Sequence, residues 1–119
     1  MIKKVSNKDK NFYQYMGKFF GSRIVEKETN DRIYDDDKKD WYLYLEKDSV
    51  LAFISIENGV IKNVYGYKEK YLEELLNYIK KEIKISNSIL TKKYTDIYEK
   101  CGLQVSNDQA YKNFVTICN

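Results

Sequence analysis

The chain has 119 residues, 43% hydrophobic and 33% charged with both signs interleaved, a net charge of +3, no histidine and no proline. That length supports a single core, so residues 1–119 are expected to fold as one domain, and the charge balance is too small to argue by itself for a nucleic-acid or membrane partner. Without histidine there is no imidazole base, no Ser/His/Asp triad and no ordinary zinc site.

Cys101 and Cys118 form no metal or redox spacing, and no apolar run approaches the roughly 20 residues of a membrane helix. The opening MIKKVSNKDK lacks the apolar stretch of a secretory leader. These features lead us to expect a cytoplasmic protein with reduced thiols and no metal.

Taken in chain order, IKKV at 2–5 reads as a short strand. Ser6 and Asp9 then give a capping-box-like helix start. Phe12, Tyr15, Met16, Phe19 and Phe20 recur at three and four, which predicts one apolar helix face ending at Gly21. Residues 22–29 predict a second short helix beginning at Ser22.

Residues 30–40 are polar and acidic, and Trp41, Leu43 and Leu45 then alternate with Tyr42, Tyr44 and Glu46 in strand period. VLAFISI at 50–56 is apolar on both faces, as in a central strand. Asn58-Gly59 is a type I′ hairpin signal, so VIKNVY at 60–65 should return antiparallel. Leu72, Leu75, Leu76, Ile79 and Ile83 mark an amphipathic helix. A strand is expected over 83–90, then a helix with Tyr94, Ile97, Tyr98 and Cys101 on one face and Gly102 at its end. LQVS and AYKNFVTI read as two closing strands.

This order, with the string IYEKCGLQVSNDQAYKNFV at 97–115, resembles the GNAT N-acyltransferase family. The matching features are Tyr98-Glu99-Lys100-x-Gly102 on a helix, followed by a strand pair ending in Asn113-Phe114-Val115. The resemblance implies an α/β fold with a mixed, mostly antiparallel sheet flanked by helices. It also implies acyl transfer from acetyl-CoA to a small amine or protein lysine. Tyr98 would be the proton donor to the departing thiolate, or else one more core aromatic. Backbone amides near Val64 and Tyr65 would hold the pantetheine arm and polarise the carbonyl. Lys68 and Lys70 would face the diphosphate, and Thr91 would stand where the family often begins this helix with asparagine.

The chain departs from the family pattern at YGYKEKYLEELL, 65–76. The Gly-rich diphosphate loop is absent, and Glu69, Glu73 and Glu74 bring negative charge beside the expected dianion. Lys68–Glu74 therefore reads equally as the polar first turn of a helix. VIKNVY also carries no carboxylate to serve as base. Cofactor use is accordingly expected to be weak, and the alternative is a non-catalytic GNAT-fold protein acting through a protein partner, as an accessory factor of a phage or mobile element would. Asp31, Asp35, Asp36, Asp37 and Asp40 form an acidic cluster that either faces a cationic acceptor, with Asp35, Asp36 and Asp37 on the acceptor side, or forms a solvated turn. The scattered lysines argue against nucleic acid.

Overall fold

The computed structural model describes residues 1–107 and 112–119. Its elements are β1 (Ile2–Val5), α1 (Phe12–Met16), α2 (Arg23–Thr29), β2 (Asp40–Glu46), β3 (Ser49–Glu57), β4 (Val60–Gly66), α3 (Glu69–Glu82), β5 (Ser88–Thr91), a 3-10 turn (Lys92–Tyr94), α4 (Thr95–Lys100), β6 (Gln104–Asn107) and β7 (Phe114–Cys118). The chain is thus an α/β fold of mostly antiparallel strands with helices on both faces, as the residue pattern predicts.

β1 to β4 form one antiparallel sheet in the order β1-β2-β3-β4, and β5-β7-β6 form a second. Alternation along β2 divides its side chains between two cores. Trp41, Leu43 and Leu45 pack with Phe12, Met16, Phe19 and Phe53 beneath α1 and α2. Tyr42 joins Ile54, Leu72, Leu75, Leu76 and Tyr98 beneath α3 and α4. The β3–β4 hairpin turns where expected, with Asn58 and Gly59 at φ 50 and 79, the left-handed pair that a type I′ turn requires.

Four sequence expectations change, three of them in the extent of elements and one in the sheet. The apolar face from Phe12 to Phe20 is buried as predicted, but α1 stops at Met16 with Gly17 as its C-cap, and residues 17–21 continue as turns. Glycine inside a helical pattern weakens it by about 1 kcal/mol relative to alanine. Asp9 does accept the Ser6 amide at 2.8 Å, yet this closes a turn three residues before the helix proper. β5 spans only Ser88–Thr91, not 83–90, because its ladder partner β7 offers partners only from Phe114 to Ile117. The last strand predicted for AYKNFVTI is β7; its residues 110–111 lie outside the described residues.

The expected single sheet is divided between β4 and β5. The two strands set out side by side in the same direction: Ser86 N–H donates to Gly59 O at 2.8 Å, and Ile61 N–H to Ser88 Oγ at 2.9 Å. They share no backbone ladder beyond that point. At the far end, β4 finishes at Gly66 and β5 at Thr91, with the 3-10 turn and α4 rising from the latter. That parting positions the site.

Candidate active site

The outer edge of β4 decides what the parting can hold. Tyr67 N–H donates to Leu51 O on β3 at 2.8 Å. Successive residues of a strand point their backbone groups in opposite directions, so Gly66 turns its N–H and C=O the other way, into the parting. Both meet the Tyr94 hydroxyl, which accepts from Gly66 N at 3.2 Å and donates to Gly66 O at 3.4 Å. Tyr94 is buried. Loss of solvent pushes its phenol up to about 12, opposed by the Gly66 hydrogen bond and assisted by Glu28. By the same alternation Val64 faces the parting and Tyr65 faces β3.

Gly66 has a packing reason to be glycine. A Cβ there would lie 2.9 Å from Leu72 Cβ and 3.2 Å from Lys68 O, so α3 sits closer to the strand end than a side chain permits. Lys68 is the N-cap of α3 but gives no side-chain cap. Lys70 is exposed, with Nζ 5.0 Å above the Tyr71 ring. This junction is a tight strand-to-helix packing with polar side chains outside.

Tyr98 lies one helical turn beyond Tyr94, fully enclosed, with its hydroxyl donating to Thr91 O at 2.8 Å. Burial first, then the Tyr94 phenol and the Asp31 carboxylate, push its pKa far up. Thr91 is buried too, and its Oγ1 donates to Thr29 O, pinning the end of α2 against β5. Thr91 and Tyr98 are bonded to each other, and Val64 lies in the same core cluster as Tyr98. The Tyr65 ring is on the opposite side of the sheet, 5.3 Å from Phe53 and stacked on it.

The acidic loop is largely engaged with its own surroundings. Asp35 accepts from Trp41 Nε1 at 2.8 Å and Asn7 Nδ2 at 3.0 Å. Asp37 accepts from Asn7 at 2.8 Å, and Asp36 from the Lys38 amide at 2.9 Å. Buried Lys39 threads behind them, donating to Tyr34 O at 2.8 Å and Asn63 Oδ1 at 3.2 Å. Its Nζ sits 3.8 Å over the Tyr34 ring. Desolvation lowers the Lys39 pKa, while Asp36, Asp35, Asp31 and Glu57 oppose that shift.

Asp31, which the sequence places only among the acids of the 31–40 loop, has a setting of its own. VIKNVY has no carboxylate, but Asn63 in its middle donates from Nδ2 to Asp31 Oδ2 at 3.1 Å, and Ser55 fixes the other end of Asn63 at 2.7 Å. Asp31 is half-buried, and desolvation raises its pKa against the Asn63 hydrogen bond and Lys39. In the sequence Asp31 stands out only as one acid of a cluster and Tyr94 only as an apolar-face position, since the contact that distinguishes each is with a partner some thirty residues away. Among the described residues, no group of His, Cys, Asp and Glu is placed to hold a metal, and no helix is long and apolar enough to cross a membrane.

Two sheets that divide between β4 and β5, followed by the tyrosine-bearing turn and helix after β5, make up the GNAT-like fold. A solved structure with that fold, Campylobacter jejuni N-acetyltransferase PseH in complex with acetyl coenzyme A, matches 98% of this chain and 96% of its own, with a TM-score of 0.53 and 13% sequence identity. No family model and no curated protein matches the sequence.

Proposed function

We propose that the chain is an N-acyltransferase that takes acetyl-CoA weakly and passes its acetyl group to an amine. The observation that carries this reading is the pair of backbone groups Gly66 turns into the β4–β5 parting. A hydroxyl there both accepts and donates, and a secondary amide, the repeating group of a pantetheine arm, offers the same two functions. When bound, acetyl-CoA would supply an acetyl group activated on sulfur. Gly66 would hold the amide arm, with Val64 beside it. Lys68, Lys70 and the uncapped start of α3 would meet the diphosphate, with Glu69 opposing them.

In the reaction, the Asp31 carboxylate takes the proton of the acceptor amine, and a raised pKa makes it a better base than an ordinary aspartate. As the amine nitrogen bonds the acetyl carbon and the carbon–sulfur bond breaks, Tyr98 Oη would be the residue to supply a proton to the departing sulfur, and it would have to leave the Thr91 carbonyl to do so. The negative loop at Asp35, Asp36 and Asp37 favours a cationic acceptor, a small amine or a protein lysine. A cytoplasmic setting suits both the cofactor and the free cysteines.

A second reading, a non-catalytic binding protein working through a protein partner (for example a phage or mobile-element accessory factor), is favoured by one observation. The Tyr98 hydroxyl is wholly enclosed and committed to Thr91. Calorimetric titration with acetyl-CoA separates the two. A ligand at 100 times its dissociation constant raises stability by about 2.7 kcal/mol. Heat of binding and a raised melting temperature support the enzyme; neither effect at millimolar acetyl-CoA leaves the binding protein.

A further inference from the structure

We infer that Tyr94 is a built-in competitor for the cofactor groove, a side chain that occupies the ligand's backbone contacts until the ligand displaces it. The inference rests on reading the β4–β5 parting as the cofactor site, and it explains from within the chain why binding there should be weak. In extended backbone the N–H and C=O of one residue point to the same side. One ligand group beside Gly66 can therefore satisfy both, and the Tyr94 hydroxyl now does so at 3.2 and 3.4 Å. Those distances are at the long end for such bonds, so the contact can be exchanged for a better-aligned amide. The remainder of Tyr94 is held firmly: it is buried in the core beside Tyr98 and Ile97. Outside, Lys93 Nζ lies 5.9 Å from its ring and is paired with Glu28 at 2.6 Å.

The geometry also sets which part of the ligand Tyr94 opposes. It faces the strand edge, where an amide arm lies, and not the start of α3, where a diphosphate would lie. Competition should then be felt equally by CoA and by pantetheine, which has the arm without the diphosphate.

The test is calorimetric titration of CoA and pantetheine into the native chain and Tyr94→Phe, with Gly66 N–H followed by NMR. Phenylalanine keeps the ring and removes only the competing oxygen. The expected result is roughly five- to tenfold tighter binding of both ligands by the variant, the size of one freed hydrogen-bonding site. The Gly66 amide should exchange faster in the free variant. In the native chain, added CoA should shift the Gly66 resonance as its acceptor changes from phenol to ligand; this check needs no variant. Equal affinities in the two chains would overturn the competition while leaving the groove as a cofactor site. A gain for CoA without one for pantetheine would overturn it too, by moving Tyr94's effect to the diphosphate. No binding by either chain, with Gly66 exposed in the variant, would overturn both this inference and the cofactor reading beneath it.

Discussion

Replacing Tyr98 with phenylalanine asks whether its hydroxyl is a structural donor. The phenol is fully enclosed and its only hydrogen-bond partner among the described residues is the Thr91 carbonyl, 2.8 Å away. Deleting the oxygen breaks that bond and leaves a buried carbonyl short of a donor, which costs about 1–2 kcal/mol. A well-solvated phenol in an open cleft would cost close to nothing. In a domain of this size, 1 kcal/mol moves the melting temperature by about 3–6 °C. Urea denaturation should therefore show a lower midpoint at an unchanged slope, since the native surface is preserved. Tyr94→Phe is the internal control. Its hydroxyl makes longer contacts, 3.2 and 3.4 Å to Gly66, but its loss strands both a buried N–H and a buried C=O, so it should cost a comparable amount, about 1–2 kcal/mol. If Tyr98→Phe matched the native midpoint within about 0.3 kcal/mol, the enclosed donor to Thr91 would be refuted.

Gly66→Ala should cost about 1–3 kcal/mol, because its Cβ would meet Leu72 Cβ at 2.9 Å and must push α3 away from the strand end; a thermal melt equal to the native one would contradict that packing. Asp31 holds its proton more tightly in the folded chain than in the unfolded one. Its ionisation therefore works against folding as pH rises above the ordinary carboxylate range, and that penalty fades on acidification. Asp31→Asn should accordingly gain stability relative to the native chain at pH 7 and lose that advantage near pH 3, with Asp35, Asp36 and Glu57 still facing Lys39; an advantage independent of pH would contradict the assignment. The Cys101 thiol is buried and pushed up to about 11 by desolvation and Glu73. In a timed reaction with a thiol reagent at pH 8, Cys101 should label only as the chain unfolds, well after Cys118; equal rates would show the site to be open.

Much of the fold is written in local pattern. The alternation at Trp41–Glu46, the Asn58-Gly59 turn, the Leu72–Ile79 face and the Ser22 cap each depend on neighbours a few residues away, and each appears where the pattern puts it. What the pattern cannot carry is the extent of an element whose limits are set by a distant partner. IKIS reads as strand by alternation, yet β5 begins only where β7 offers a ladder. The same holds more strongly for the site. Tyr98 stands out through the residues around it, but its burial depends on Thr91 and on a loop from the other end of the chain. Asp31 looks like one of several acids in a turn until Asn63 is found holding it. Tyr94 looks like one more apolar face position, and its hydroxyl's partner lies 28 residues back on another strand.

The most direct measurement is a crystal structure of the chain grown with millimolar acetyl-CoA. The account predicts an amide of the pantetheine arm bonded to both backbone groups of Gly66, with the Tyr94 hydroxyl lifted away from them. Cofactor bound elsewhere on the surface while Tyr94 still rests on Gly66 would contradict it.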